Sequence, residues 1–153
     1  MSAVTRLQEL GIALPTPPAP VASYVPYTFS GDQVFISGQI PLKDGKPQFI
    51  GRVGDDLSLE DAQAAAKLCA VNVLAQLSAA CDGNLDRVAR CLKLGVFVHA
   101  VPGYTQQPEV ANGASDLMVA VFGNAGKHAR AAVGVASLPR GVAVEVEAVF
   151  EIS

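Results

Sequence analysis

Charge is scarce in this chain. Only 16% of its 153 residues are Asp, Glu, Lys or Arg, and half are hydrophobic. That is apolar for a small soluble monomer, so part of the apolar surface is expected to enter a subunit interface. Lys and Arg form no cluster and the formal net charge is −3, which argues against a nucleic-acid surface, since such surfaces carry a basic stripe. Cysteine is limited to Cys69, Cys81 and Cys91. An odd count without a CxxC pair gives neither a disulfide framework nor a zinc pattern, and suits small buried thiols in a reducing cytoplasm. Two histidines, His99 and His128, are too few for a histidine-rich metal site. Gly31, Gly38 and Gly45 are single turn residues and build no phosphate-binding loop. No run of about 18 apolar residues exists, so no membrane span is expected. The first residues, MSAVTRLQELGIALP, carry charge and lack the long apolar stretch of a secretory signal. Neither internal repeats nor a second domain is evident: residues 1–20 read as a short helix and proline-rich lead-in, and 21–153 as one domain.

What is present alternates between strand and helix signals. Val4, Leu7 and Leu10 predict a short amphipathic helix over 3–11, stopped at Gly11. PTPPAP, 15–20, is incompatible with regular structure and reads as a stiff extended lead-in. Two β-rich runs, 25–29 and 33–37, flank Ser-Gly-Asp and predict a hairpin. A turn at Lys43-Asp44-Gly45 leads to a weaker strand at 47–50. Ser58 caps a long helix to about Ala80, with Glu60 and Asp61 in its first turn, where the helix dipole favours acids. Its alanine-rich stripe, Ala62, Ala65, Ala66 and Cys69, suggests close packing on a sheet. Residues 89–100 read as a strand, with Leu92, Leu94, Val96 and Val98 on one face and Cys91, Lys93, Phe97 and His99 on the other. A second helix is expected from about 110 to 122, with Leu117, Met118 and Val121 buried.

The end of the chain, KHARAAVGVASLPRGVAVEVEAVFEI, reads as two strands joined by a short Leu-Pro-Arg-Gly turn. In the last strand Val142, Val144, Val146, Ala148, Phe150 and Ile152 share one face. Ala143, Glu145, Glu147, Val149 and Glu151 share the other, because strand side chains have period two. Arg130 stands at the entrance to the preceding strand. A cation and a candidate base in one region begin a site for a small carboxylate. The order β-β-β-α-β-α-β-β gives an α+β fold: one mixed sheet covered on one face by two helices. Nothing is left to cover the other face, which predicts a symmetric oligomer with sites at its seams.

SYVPYT, FISGQIPL, GVFVHAVPG and HARAAVGVASLPRGVAVEVEAV together resemble the RidA/YjgF family of reactive imine/enamine deaminases, from Val21 onward. The N-terminal segment and QPEVANGASDLMVAVFG resemble a less characterised branch. The resemblance implies a chorismate mutase-like fold and a trimer whose sheets form a central barrel. It implies that Arg130 holds the substrate carboxylate and that Glu145 positions the hydrolytic water. Tyr24, Ser37 and Gly38 match the pocket tyrosine and the serine-glycine step, and Asn112 matches a pocket asparagine with a one-residue slip. Ala131 and Ala132 stand where the family commonly has serine and cysteine, leaving a less polar pocket. The implied reaction is hydrolysis of a 2-imino or 2-enamine acid to a 2-oxoacid and ammonia, with no metal or other cofactor and a small carboxylate-bearing substrate. A non-catalytic carboxylate sensor and, against the acidic charge balance, an endoribonuclease are the alternatives. For individual residues, Arg130 can instead pair with a carboxylate across the seam, and Tyr24 can be a packed aromatic. Glu147 and Glu151 read as structural, His128 as a solvated loop histidine or proton carrier, His99 and Cys91 as packing groups. Tyr104 and Gln106 are candidates for a pocket lip.

Overall fold

A computed structural model describes residues 1–19 and 23–153. The expected domain start at Val21 and the last proline of the lead-in, Pro20, lie outside the described residues. The elements are α1 (Ala3–Glu9), β1 (Tyr27–Ser30), β2 (Gln33–Gln39), β3 (Leu42–Lys43), β4 (Lys46–Pro47), α2 (Leu59–Ala80), β5 (Val88–His99), α3 (Gln107–Phe122), β6 (Ala129–Val135) and β7 (Val144–Ile152). Five strands form one mixed sheet in the order β1-β2-β7-β5-β6. Only β5 and β6 run parallel. This is the α+β, chorismate mutase-like arrangement expected, with α2 and α3 covering one face.

Local chemistry explains the boundaries. The Ser58 hydroxyl accepts from the Asp61 N–H while the Asp61 carboxylate accepts from the Ser58 N–H, a complete capping box that satisfies two of the helix's orphan donors. At the start of α3, Pro108 sits in the first turn, where its missing N–H costs nothing, and the helix begins three residues before the expected Val110. The alanine stripe of α2 is fully buried. A Cβ on Gly113 would run into the Gln63 carbonyl, so glycine there lets α3 lie close against α2 and fixes the helix that carries the site.

The structure corrects the sequence reading in four places. The strand expected near 47–50 joins no large sheet: β3 and β4 form a separate ribbon, turned by Asp44 and Gly45 at φ 53° and 75°. In α1 the buried residues are Ala3 and Leu7, while Val4 and Leu10 are exposed; Arg6 donates to the Val121 carbonyl at 3.2 Å, so α1 packs on α3. Cys91 is buried with Leu94, Val96 and Val98 rather than opposite them. The pairing of β5 with β7 shifts between Cys91 and Lys93, and one extra residue in a bulge reverses the face of everything before it. Finally, β6 and β7 are not neighbours, because β5 lies between them.

The last correction decides where the charged groups go. Phe97 aligns Glu145 on one side with Val133 on the other. Arg130 lies three residues before Val133, an odd step, and so projects to the opposite face. Its own row, Ala148–Leu94–Arg130, is on the helix-covered side, where Ala148 and Leu94 are buried.

Candidate functional site

Two groups of candidate residues emerge, one on each side of the sheet. On the covered side, Asn112 and Ser115 occur three residues apart on α3 and therefore share a helix face. Both reach Arg130: Nη1 donates to Asn112 Oδ1 at 2.9 Å and to Ser115 Oγ at 3.1 Å. Among the described residues, ion pairs form at Arg52–Asp55, Arg87–Asp82 and Arg90–Glu151; none involves Arg130. The guanidinium is thus anchored by neutral acceptors and keeps an uncompensated charge. Ala132 lies on the same side, Ala131 on the other.

Behind Ser115 stands His128, and it is not the solvated loop histidine expected. The ring is half-buried, with Nε2 2.9 Å from Ser115 Oγ and Nδ1 2.6 Å from the Gly126 carbonyl. The sequence reading missed Ser115 altogether. Its spacing from Asn112 on a helix facing Arg130 was the available signal.

On the open side, Glu145 lies across Gly38. A Cβ on Gly38 would come within 2.7 Å of Glu145 Oε2, so the absence of a side chain there makes room for the carboxylate. Burial, and secondarily the charge of Glu147, push the Glu145 carboxyl above its usual range, the direction that improves a general base. The Ser37 hydroxyl donates to the Val25 carbonyl at 2.8 Å, and the Ser37 N–H donates to the Pro26 carbonyl at 2.9 Å. These bonds tie the segment carrying Tyr24 to β2; the Tyr24 side chain itself is 63% exposed. Around them the open face shows Phe35 and Val133 in substantial exposure.

Within one chain, therefore, Arg130 with Asn112 forms one group, and Ser37, Gly38 and Glu145, with Tyr24 on the adjoining segment, form another. From strand spacing and rise, the Cα atoms of Arg130 and Glu145 are about 14 Å apart, with side chains on opposite faces. The remaining candidates fall elsewhere. Tyr104 lines a shallow surface cavity with Pro102, Gln107 and Gly134, apart from both groups; its ring packs against Gly54, and its hydroxyl is buried without a partner among the described residues. Gln106 is exposed at the start of α3. Cys91 is a packing group whose thiol is pushed up to about 12 by burial, and His99 Nδ1 is buried without a partner among the described residues. Among the described residues no group of three or more His, Cys, Asp or Glu could hold a metal ion, and no helix is long and apolar enough to cross a membrane.

Comparison with known proteins agrees with this architecture. Residues 4–148 match the family described as "YjgF/chorismate_mutase-like, putative endoribonuclease", and the chain belongs to that family. Protein TCP17 of Trypanosoma cruzi is 51% identical over 149 residues, covering 97% of this chain and 92% of its own length. Protein Atu1372 of Agrobacterium tumefaciens, solved with unknown function, superposes with a TM-score of 0.93 at 48% identity, over 99% of this chain and 92% of that one. A Shewanella oneidensis protein solved as a putative endoribonuclease gives 0.95 at 32% identity, over 99% and 100%.

Proposed function

We propose that this protein is a cofactor-independent hydrolase of 2-imino and 2-enamine acids, working as a homotrimer whose seams bring Arg130 of one protomer to Glu145 of the next. The observation that carries the proposal is the state of Arg130: a guanidinium pre-set by neutral side chains, with its charge uncompensated and donors to spare. Such a group suits a carboxylate, because its planar fork can give two parallel charge-assisted hydrogen bonds. The exposed apolar open face supports assembly with further copies, and the separation of the two groups within one chain supports a shared site.

In this reading the carboxylate of the substrate docks on Arg130 and fixes the adjacent C=N carbon. Glu145 takes a proton from water as its oxygen bonds to that carbon, and the π pair of the C=N bond moves to nitrogen, which is protonated. Collapse of the carbinolamine forms the C=O bond and expels ammonia. Positioning supplies much of the rate, and the base adds about 10²–10⁴-fold. A non-catalytic carboxylate sensor would use the same Arg130 and dispense with Glu145. The endoribonuclease activity in the family description is opposed by the net charge of −3 and by the engagement of both His128 ring nitrogens.

The test uses an imine generated in place by an amino-acid oxidase, with ammonia release followed over time. Wild type should accelerate release, and Arg130→Ala should lose on the order of 10³-fold in kcat/KM, the effect of removing two charge-assisted hydrogen bonds. No acceleration by wild type, or an unchanged rate in Arg130→Ala, would sink the reading. Binding of a 2-oxoacid without turnover would favour the sensor.

A further inference from the structure

We infer that His128 and Ser115 are positioning residues that decide which edge of Arg130 meets a ligand's carboxylate; this rests on the carboxylate-binding role of Arg130 proposed above. A guanidinium carries five N–H hydrogens, two of them on Nη1. Asn112 Oδ1 and Ser115 Oγ both accept from Nη1, at 2.9 Å and 3.1 Å, so both of those hydrogens are taken. A carboxylate can meet an arginine end-on, across Nη1 and Nη2, or side-on, across Nε and Nη2. With Nη1 consumed, the side-on edge is the one on offer.

Ser115 holds its part of this arrangement only because its own hydrogen is spent elsewhere. A serine inside a helix ordinarily turns its hydroxyl toward the carbonyl one turn back. Here the Gly126 carbonyl, which can only accept, lies 2.6 Å from His128 Nδ1. Nδ1 therefore carries the hydrogen, and in the neutral ring Nε2 presents a lone pair. The Ser115 hydroxyl donates into that lone pair at 2.9 Å, which leaves its own lone pairs for Arg130. Each hydrogen along Arg130, Ser115, His128 and Gly126 has one destination, and among the described residues no carboxylate forms an ion pair with Arg130.

The consequence reaches the ligand. An imine or ketone conjugated to a carboxylate tends to share its plane, so fixing the carboxylate plane also fixes the face presented to attacking water. Near-attack geometry is sensitive to such a rotation.

The experiment measures pyruvate binding by calorimetry and imine hydrolysis for wild type, Ser115→Ala, His128→Ala, His128→Gln and Arg130→Ala. A crystal of wild type soaked with pyruvate accompanies them. Ser115→Ala should fold, since alanine favours a helix. Ser115→Ala and His128→Ala should each raise Kd and KM about tenfold, as expected for loss of one hydrogen bond supporting a charged group, and lower kcat about tenfold, because the carboxylate plane is no longer fixed. His128→Gln, whose amide oxygen can accept the Ser115 hydroxyl, should restore KM to within about threefold of wild type. The soaked carboxylate should sit on Nε and Nη2. Wild-type Kd and KM in both Ser115→Ala and His128→Ala, alongside loss of binding in Arg130→Ala, overturn the inference, as does a carboxylate seated on Nη1. Unchanged binding in Arg130→Ala overturns the carboxylate role itself, and this inference with it.

Discussion

On the covered face of the sheet, Arg130 is gripped through one nitrogen by two side chains of α3. On the open face, Glu145 makes no side-chain hydrogen bond among the described residues and is accommodated chiefly by the missing side chain of Gly38. The cation is oriented before any ligand arrives, whereas the carboxylate is placed by packing and adjusts more freely. The contrast shows how a site can divide its tasks: rigid hydrogen bonding where geometry must be set, and a partly desolvated carboxyl where a proton must move. Within one chain a sheet separates the two groups, so in the proposed mechanism they meet between protomers.

The strongest way to break the contrast is to remove the base and leave the anchor intact. Glu145→Gln should lower kcat by about 10²–10⁴-fold while pyruvate binding, read by calorimetry, stays close to wild type. The same variant should melt at or above the wild-type temperature at neutral pH. The folded-state pKa of Glu145 is raised by burial and by Glu147, so its ionised form opposes folding above that pKa. Glutamine removes this cost, and the advantage should fade as pH falls below the ordinary carboxylate range. Equal activity in Glu145→Gln would contradict the role given to the open face.

A smaller disturbance is Gly38→Ala. The added Cβ would meet the far end of the Glu145 side chain, which can swing aside, so the fold should persist while kcat falls about tenfold through misplacement of the base. A wild-type kcat with an unchanged melting temperature would show that Glu145 need not lie over Gly38. Smaller still is Glu147→Gln, which removes the secondary cause of the raised Glu145 pKa. Activity requires the ionised base and so falls as pH drops through its pKa. The acid limb of the kcat profile should therefore move to lower pH in Glu147→Gln, with little change on the plateau. An unmoved limb would separate that limb from Glu145.

How much of this was legible in the sequence depended on how local the signal was. The helix cap at Ser58, the alternation of residues 144–152 and the hairpin turned at Gly31-Asp32 depend on neighbours within a few residues, and each reads directly from the chain. The faces before Cys91 did not, because a bulge inserts one residue without leaving a characteristic residue type. Nor did the placement of Arg130. The lone cation near a candidate base marked it as a candidate and a family pattern gave it a role, but its face depends on β5 lying between β6 and β7, a pairing between distant segments. Ser115 and His128 were hidden for a related reason: their connection exists only once α3 lies over the start of β6.

Mixing variants puts the shared site to the most direct test. Arg130→Ala and Glu145→Gln, each nearly inactive alone, are to be unfolded together at equal concentration, refolded as mixed assemblies and assayed for imine hydrolysis. Random mixing pairs an intact Arg130 with an intact Glu145 at about one seam in four of a cyclic trimer, so about a quarter of wild-type activity should return. Activity no higher than that of the two variants refolded separately, in assemblies proven to contain both chains, would contradict a site built from two protomers.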